Sequence, residues 1–289
     1  MGSPPGAVRP LTTRTHVAAL WSIARDRASG ATALTARLLR TLRPTFRSLR
    51  MDPNWRVTLR ETAGAVLDAQ PAMGAFQRWA RWLLQGTSAP SRREALRRLT
   101  NRLRAEGPRL REEGPRAVRT AIASLPPDCR VMTISHSALV ESTLLGAQKR
   151  GALYRATVLR SEPGGEGRAL ARALRARGVR TRLIPDREAP RALGDVDLVL
   201  IGADAVYGSG SVVHKTGTRR LAEAAARRGV PLYVVTGRSK YAGLPAPPRN
   251  PPPLYDVTPA RRVRAYWTDV GTVESDFWRS LGDRLRETH

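Results

Sequence analysis

CRVMTI (129–134), RATVL (155–159), RTRLI (180–184), VDLVLI (196–201) and LYVVT (232–236) decide the fold of this 289-residue chain. Each is a short β-branched or apolar run, and helix-like stretches separate most of them. Near-continuous apolar strands alternating with amphipathic helices are the pattern of a parallel sheet covered on both faces. The chain is therefore expected to be α/β, with a Rossmann-like doubly wound domain over 126–289. The Pro126-Pro127 pair, which no helix continues through, marks its start. The preceding residues read as an N-terminal helical domain, 1–125. Leu34, Leu38, Leu39 and Leu42 form one apolar stripe there, and Ala75, Trp79, Trp82 and Leu83 another. Ser91 followed by Glu94 looks like a capping box opening a long basic helix, which ends by Gly107 or continues to Leu125. The proline-rich segment AGLPAPPRNPPP (242–253) is expected as a surface excursion.

Composition narrows the class. With 41% apolar residues the chain can bury a sizeable core. Its single cysteine, Cys129, excludes an internal disulfide framework and a multi-cysteine metal site. No run reaches the roughly 18 apolar residues of a membrane span, and no apolar core of a secretory signal opens the chain. Residues 1–50 are rich in Arg and Thr with one acid, Asp26, as in transit peptides, but arginine is abundant throughout. A cytoplasmic protein is expected. The net charge of +26 comes from 47 arginines (50 Lys+Arg less Lys149, Lys215 and Lys240). They recur through most helical segments, without an aromatic-interleaved stripe for base stacking. Nonspecific attraction to nucleic acid is expected from such charge.

In open parallel sheets ligands sit beyond the carboxyl ends of the strands. Ser135-His136-Ser137 follows the run at 129–134 and opens a helix whose N–H groups and hydroxyls suit a phosphate; helix capping by Ser135 or Ser137 is the plainer reading. Gly202-Ala203-Asp204 follows the run at 196–201, then a glycine-rich turn, then His214-Lys215. A carboxylate at a strand end with a lysine opening a helix soon after suits an acid–base group beside an anion holder. A surface hairpin with a capping Asp would look similar. His136 and His214 both fall in these motifs. With Asp204 they could ligate a metal, but nothing in their spacing demands one, and no metal or cofactor is expected.

GADAVYGSGSVVHKTGT (202–218), GVPLYVVTGRSKY (229–241) and YDVTP (255–259), in that order, resemble the initiation factor two-B alpha, beta and delta subunits. The same pattern marks ribose-1,5-bisphosphate isomerase and methylthioribose-1-phosphate isomerase. VMTISHSALVESTL (131–144) resembles the family's strand-to-helix turn, and EPGGEGRALARAL (162–174) its ribose-site loop. SGATALTARLL (29–39) and AQPAMGAF (69–76) resemble its N-terminal helical region. The resemblance implies a helical bundle on a Rossmann-like domain, and a homodimer or larger homo-oligomer. It implies aldose–ketose isomerisation of a sugar phosphate by a cysteine after the first strand and the aspartate of the GAD motif. The aspartate is Asp204; the cysteine position is Ser135, and a hydroxyl is a far weaker acid than a thiol. Cys129 lies six residues earlier on the same strand, roughly 20 Å away, and cannot substitute. The isomerases' Asn-Lys pair becomes His214-Lys215, an arginine before proline becomes Gln70, and Ser-Arg-Pro becomes Ser161-Glu162-Pro163. Ser137, Glu166, His214 and Lys215 are the expected ligand-binding residues, with His136 accessory. The resulting expectation is a protein that binds a phosphorylated sugar or a nucleotide without isomerase activity. The alternative is an active phosphosugar isomerase or lyase using Asp204 with His136 or His214.

Overall fold

A computed structural model describes residues 19–26 and 29–287; the basic, acid-poor opening residues 1–18 lie outside it. The helices of the first part are α1 (19–25), α2 (Ala31–Ser48), α3 (Trp55–Ala69), α4 (Gly74–Thr87) and α5 (Arg92–Ser124). Then follow β1 (Cys129–Ile134), α6 (Ala138–Lys149), β2 (Leu153–Leu159), α7 (Glu166–Arg175), β3 (Thr181–Ile184), α8 (Ala189–Ala192) and β4 (Leu198–Ile201). The remainder is β5 (Ala205–Val206), β6 (Val212–Lys215), α9 (Thr218–Arg227), β7 (Leu232–Val235), β8 (Tyr255–Thr258), β9 (Ala265–Thr268), β10 (Gly271–Val273) and α10 (Asp276–Glu287). The described residues pack as two compact units. One takes the residues up to Pro71 with Phe76–Pro108, the other Ala72–Ala75 with the residues from Arg109.

All five quoted strands form, as β1, β2, β3, β4 and β7, within a seven-stranded sheet of order β10-β9-β7-β4-β1-β2-β3. It is parallel except for the antiparallel edge pair β9–β10. Strand order reverses at β1, which pairs with both β2 and β4, so the switch point of this doubly wound sheet lies between β1 and β4. Successive residues of the central strands enter opposite cores. Val131, Leu198, Leu200, Val235 and Trp267 pack with α6 residues Val140 and Leu144 and α7 residues Leu170 and Leu174. Their neighbours Met132, Val199, Ile201, Val234 and Tyr266 pack with Leu221 and Ala225 of α9 and Trp278 of α10. That two-residue alternation is why the strands are apolar throughout.

Sequence pattern does not reveal the second sheet, β5-β6-β8, nor the edge strands β9 and β10. Lys215 ends β6 and does not open a helix; α9 begins three residues later, at Thr218. In the helical unit Leu34, Leu38, Leu39 and Leu42 are buried as expected, as are Trp79, Trp82 and Leu83. Helix α5 continues to Ser124. Ser91 Oγ accepts from Glu94 N at 3.2 Å, but only half the capping box forms, because the Glu94 carboxylate is taken by Arg97 and Arg98. The segment 242–253 is irregular, and most of its residues from Pro245 on are exposed or half-buried. Among the described residues no helix is long and apolar enough to cross a membrane.

Candidate functional site

The switch point gathers most of the residues singled out above. Beyond β1, Ser135 is buried and adopts a left-handed backbone (φ 66°), which turns the chain sharply from strand toward helix. Ser137 is the N-cap of α6, its Oγ accepting from Val140 N at a long 3.5 Å. Beyond β4, Gly202 faces that cap: a side chain there would begin 2.4 Å from Ser137 Oγ and 3.5 Å from His214 Nε2. Only glycine lets the ends of β1, β4 and β6 approach so closely.

His214 is buried on β6 and paired in register with Asp256 on β8. Its Nδ1 accepts the Lys215 backbone N–H at 2.7 Å, which leaves the proton of a neutral ring on Nε2, the nitrogen that faces Gly202. Burial pushes its pKa below the ordinary value and outweighs the opposing pull of Asp204; Lys215 lowers it further. His214 is thus a neutral donor at neutral pH. Asp204 stands half-buried between β4 and β5, its backbone N–H donating to Val213 O at 2.9 Å. Lys215 Nζ binds Glu166 Oε1 at 2.8 Å, with both side chains about a quarter exposed, and lies 5.2 Å from the centre of the Tyr255 ring.

Glu166 is brought to Lys215 by the loop after β2. Ser161 takes a left-handed backbone, the Glu162–Pro163 bond is cis, and Asp186 accepts from Ser161 N (2.8 Å) and Glu162 N (2.9 Å). Gly167, the second residue of α7, lies against β2: a Cβ there would meet Leu159 O at 1.8 Å. Glu162, the acid in the ribose-site loop, pairs with Arg168 at 2.7 Å. His136, between Ser135 and Ser137, is exposed, with Nε2 2.7 Å from Glu141 Oε2, and Glu141 also binds Arg177 at 3.2 Å.

Cys129 is buried at the opposite end of β1 from Ser135, its thiol pushed up to about 12 by burial and the nearby Asp197. Such a thiol neither ionises at neutral pH nor reaches the strand-end cluster. Gln70, in the helical unit, is buried and donates to Ile23 O at 3.0 Å. Two carboxylates important to the geometry escaped the sequence reading. Asp186 pins the Ser161–Glu162 turn. Asp256 accepts from Gly217 N at 2.8 Å and Arg219 N at 3.2 Å, closing the N-terminus of α9. Its place in the YDVTP stretch was the available signal. Burial raises its pKa against those two N–H groups. Among the described residues no group of His, Cys, Asp and Glu is gathered as a metal site.

Residues 27–244 match the initiation factor 2 subunit family. The chain belongs to that family. Among its relatives is a ribose 1,5-bisphosphate isomerase of Haloferax volcanii, 35% identical over 168 residues, 49% of this chain and 51% of that protein. A methylthioribose-1-phosphate isomerase of Gemmatimonas aurantiaca is 31% identical over 187 residues, 54% of each. The chain thus spans about half the length of the curated relatives it matches. The structure of a tetrameric eIF2B-beta2-delta2 complex from C. thermophilum superposes with a TM-score of 0.77 at 18% identity, covering 94% of this chain and 95% of that one. Family membership and fold, as the resemblance implied, both hold. The family contains proteins named as isomerases and as initiation factor subunits.

Proposed function

We propose that this chain is a non-isomerase member of the family, a cytoplasmic homo-oligomer that binds a phosphorylated sugar or a nucleotide at the ends of β1, β4 and β6 in a regulatory or assembly role. The carrying observation is Ser135, buried at the position where the family resemblance puts the catalytic thiol, while the one cysteine is sequestered at the far end of the strand. Proton transfer between adjacent sugar carbons needs an acid and a base matched to the task. A serine hydroxyl supplies a hydrogen-bonding group and no ready proton.

Binding is supported by Lys215 and Glu166. A partly exposed lysine–carboxylate pair contributes at most about 1 kcal/mol, so an incoming phosphate can displace Glu166 from the ammonium at small cost. Ser137 Oγ and His214 Nε2 then offer hydroxyl and imidazole N–H donors for ligand oxygens.

Thermal shift tests this reading, against pentose phosphates, hexose phosphates, methylthioribose-1-phosphate and nucleotides. A ligand present at about 100 times its Kd adds about 2.7 kcal/mol, a rise of several degrees in Tm that Lys215→Ala removes. A flat response to every compound rejects the binding site. Turnover of any ribose phosphate that vanished in Asp204→Asn would instead establish the rival reading, an isomerase in which Asp204, electrostatically coupled to His214, is the base.

A further inference from the structure

Two adjoining clefts in the helical unit are lined by arginines from two rows. On α2 lie Arg43 and Arg47, four apart, with Arg50 three further on in the turn just past the helix, and on α5 Arg93, Arg97 and Arg104 are spaced four and seven apart. Each spacing keeps a row on one helix face. Arg43, Arg47, Arg50 and Arg104 line a cleft of about 360 Å³. Arg50, Arg93, Arg97 and Arg104 line the next, of about 640 Å³, so that Arg50 and Arg104 belong to both. No carboxylate lines either cleft. Among the described residues Arg43, Arg47, Arg50, Arg93 and Arg104 are exposed and enter no ion pair, and only Arg97 shares a carboxylate, that of Glu94. Residues 1–18 contain no Asp or Glu, so they carry no counter-charge to these rows. Several arginines elsewhere are matched with acids: Arg78 with Glu106, Arg130 with Asp195 and Asp197, Arg238 with Asp269.

We infer that these clefts bind the phosphodiester backbone of a nucleic acid, without reading its sequence. Gathered guanidinium groups repel one another until an anion of matching charge density lies among them, and their planar forks fit phosphate. The α2 row spans about 10 Å and the α5 row about 16 Å at 1.5 Å per residue. One strand of nucleic acid presents a charge about every 3.4 Å along the duplex axis, so each row faces several successive phosphates. Ser91, Thr100 and Asn101 at the cleft walls are further phosphate-bonding side chains. The apolar floor, Phe46 and Leu103, is buried, which leaves no aromatic for base stacking and no anchor of the kind protein partners use. A regular polyanion therefore suits the site better than an acidic protein.

The test uses the full chain and fluorescence anisotropy with a labelled 20-nucleotide RNA and a duplex DNA, between about 50 and 200 mM salt. Arg43→Gln/Arg47→Gln/Arg50→Gln is compared with Arg172→Gln/Arg187→Gln/Arg191→Gln, which removes the same charge from exposed, unpaired arginines of the other unit. The cleft triple is expected to weaken both probes at least ~10-fold and to flatten the salt slope by about 2 for the single-stranded RNA, three contacts at roughly 0.7 each, and by about 2.7 for the duplex, at roughly 0.9 each. The control triple should stay within about twofold of wild type. Equal loss in both triples overturns the proposal, since binding would then follow total charge. No loss in the cleft triple, or polyglutamate displacing RNA at equal charge concentration, overturns it too, the latter in favour of an acidic protein. If the cleft triple melts below the control, Arg93→Gln/Arg104→Gln replaces it, with an expected slope change of about 1.4 for the RNA and about 1.8 for the duplex.

Discussion

The two parts of α5 bury the same residue type by different means. Glu-Gly-Pro-Arg occurs twice along this helix, at 106–109 and 113–116. Glu106, in the helical unit, is buried against the Arg78 guanidinium at 2.9 Å. Glu113, in the other unit, is equally buried but is held by the Ser239 backbone N–H at 3.0 Å and the Ser239 hydroxyl. One carboxylate is charge-matched, and the other rests mainly on dipoles. Desolvation raises the Glu113 pKa against those two bonds and against Lys240, with Asp269 adding to the rise. At the start of the same helix Glu94, on the surface between Arg97 and Arg98, is lowered to about 2. Identical residue types on one helix therefore give opposite dependences on pH, and the surroundings decide the sign.

Removing the matched cation should have the largest effect. Arg78→Ala breaks the buried pair with Glu106, which costs about 3–5 kcal/mol and lowers Tm by roughly 10 °C; an unchanged Tm would mean that the pair contributes nothing. Glu113→Gln sharpens the contrast with a smaller change, about 1 kcal/mol, the size of one intramolecular hydrogen bond. The folded protein holds the Glu113 proton more tightly than the unfolded chain does. That carboxyl's contribution is therefore fully present below the ordinary value of 4.5 and is lost as pH rises through the raised folded value. Denaturation of wild type and variant across that window should show the variant gaining relative stability as pH rises, and a constant difference would refute the assignment. The smallest effect belongs to Glu94→Gln. Its stabilisation is present above 4.5 and lost as pH falls toward 2, so the variant should differ from wild type only slightly at neutral pH and converge with it in acid; screening by about 0.5 M salt should shrink even that difference.

Much of the strand-end site could be read from the chain because its pieces are local. Ser135-His136-Ser137 and Gly202-Ala203-Asp204 each sit directly after an apolar run, and chain order alone puts both beyond the strands that flank the switch point. The partners across the site were not legible. Glu166 meets Lys215 only because the turn pinned by Asp186 swings α7 toward β6. Asp256 reaches the start of α9 through pairing of β8 with β6, strands too short and mixed to announce themselves. For the same reason Lys215 was expected to open a helix: a four-residue strand running into Thr216-Gly217 carries little periodic signal.

By itself the sequence determined the alternation of buried strands and helices and the family, because each is written in contiguous residues. Only the tertiary structure decided which charges are matched. Whether a carboxylate meets a guanidinium, as Glu106 does, or a hydroxyl, as Glu113 does, and whether an arginine row stays uncompensated, depends on residues far apart in the chain. Desolvation and Coulomb energy depend on distance in space, and spacing along the chain does not record it.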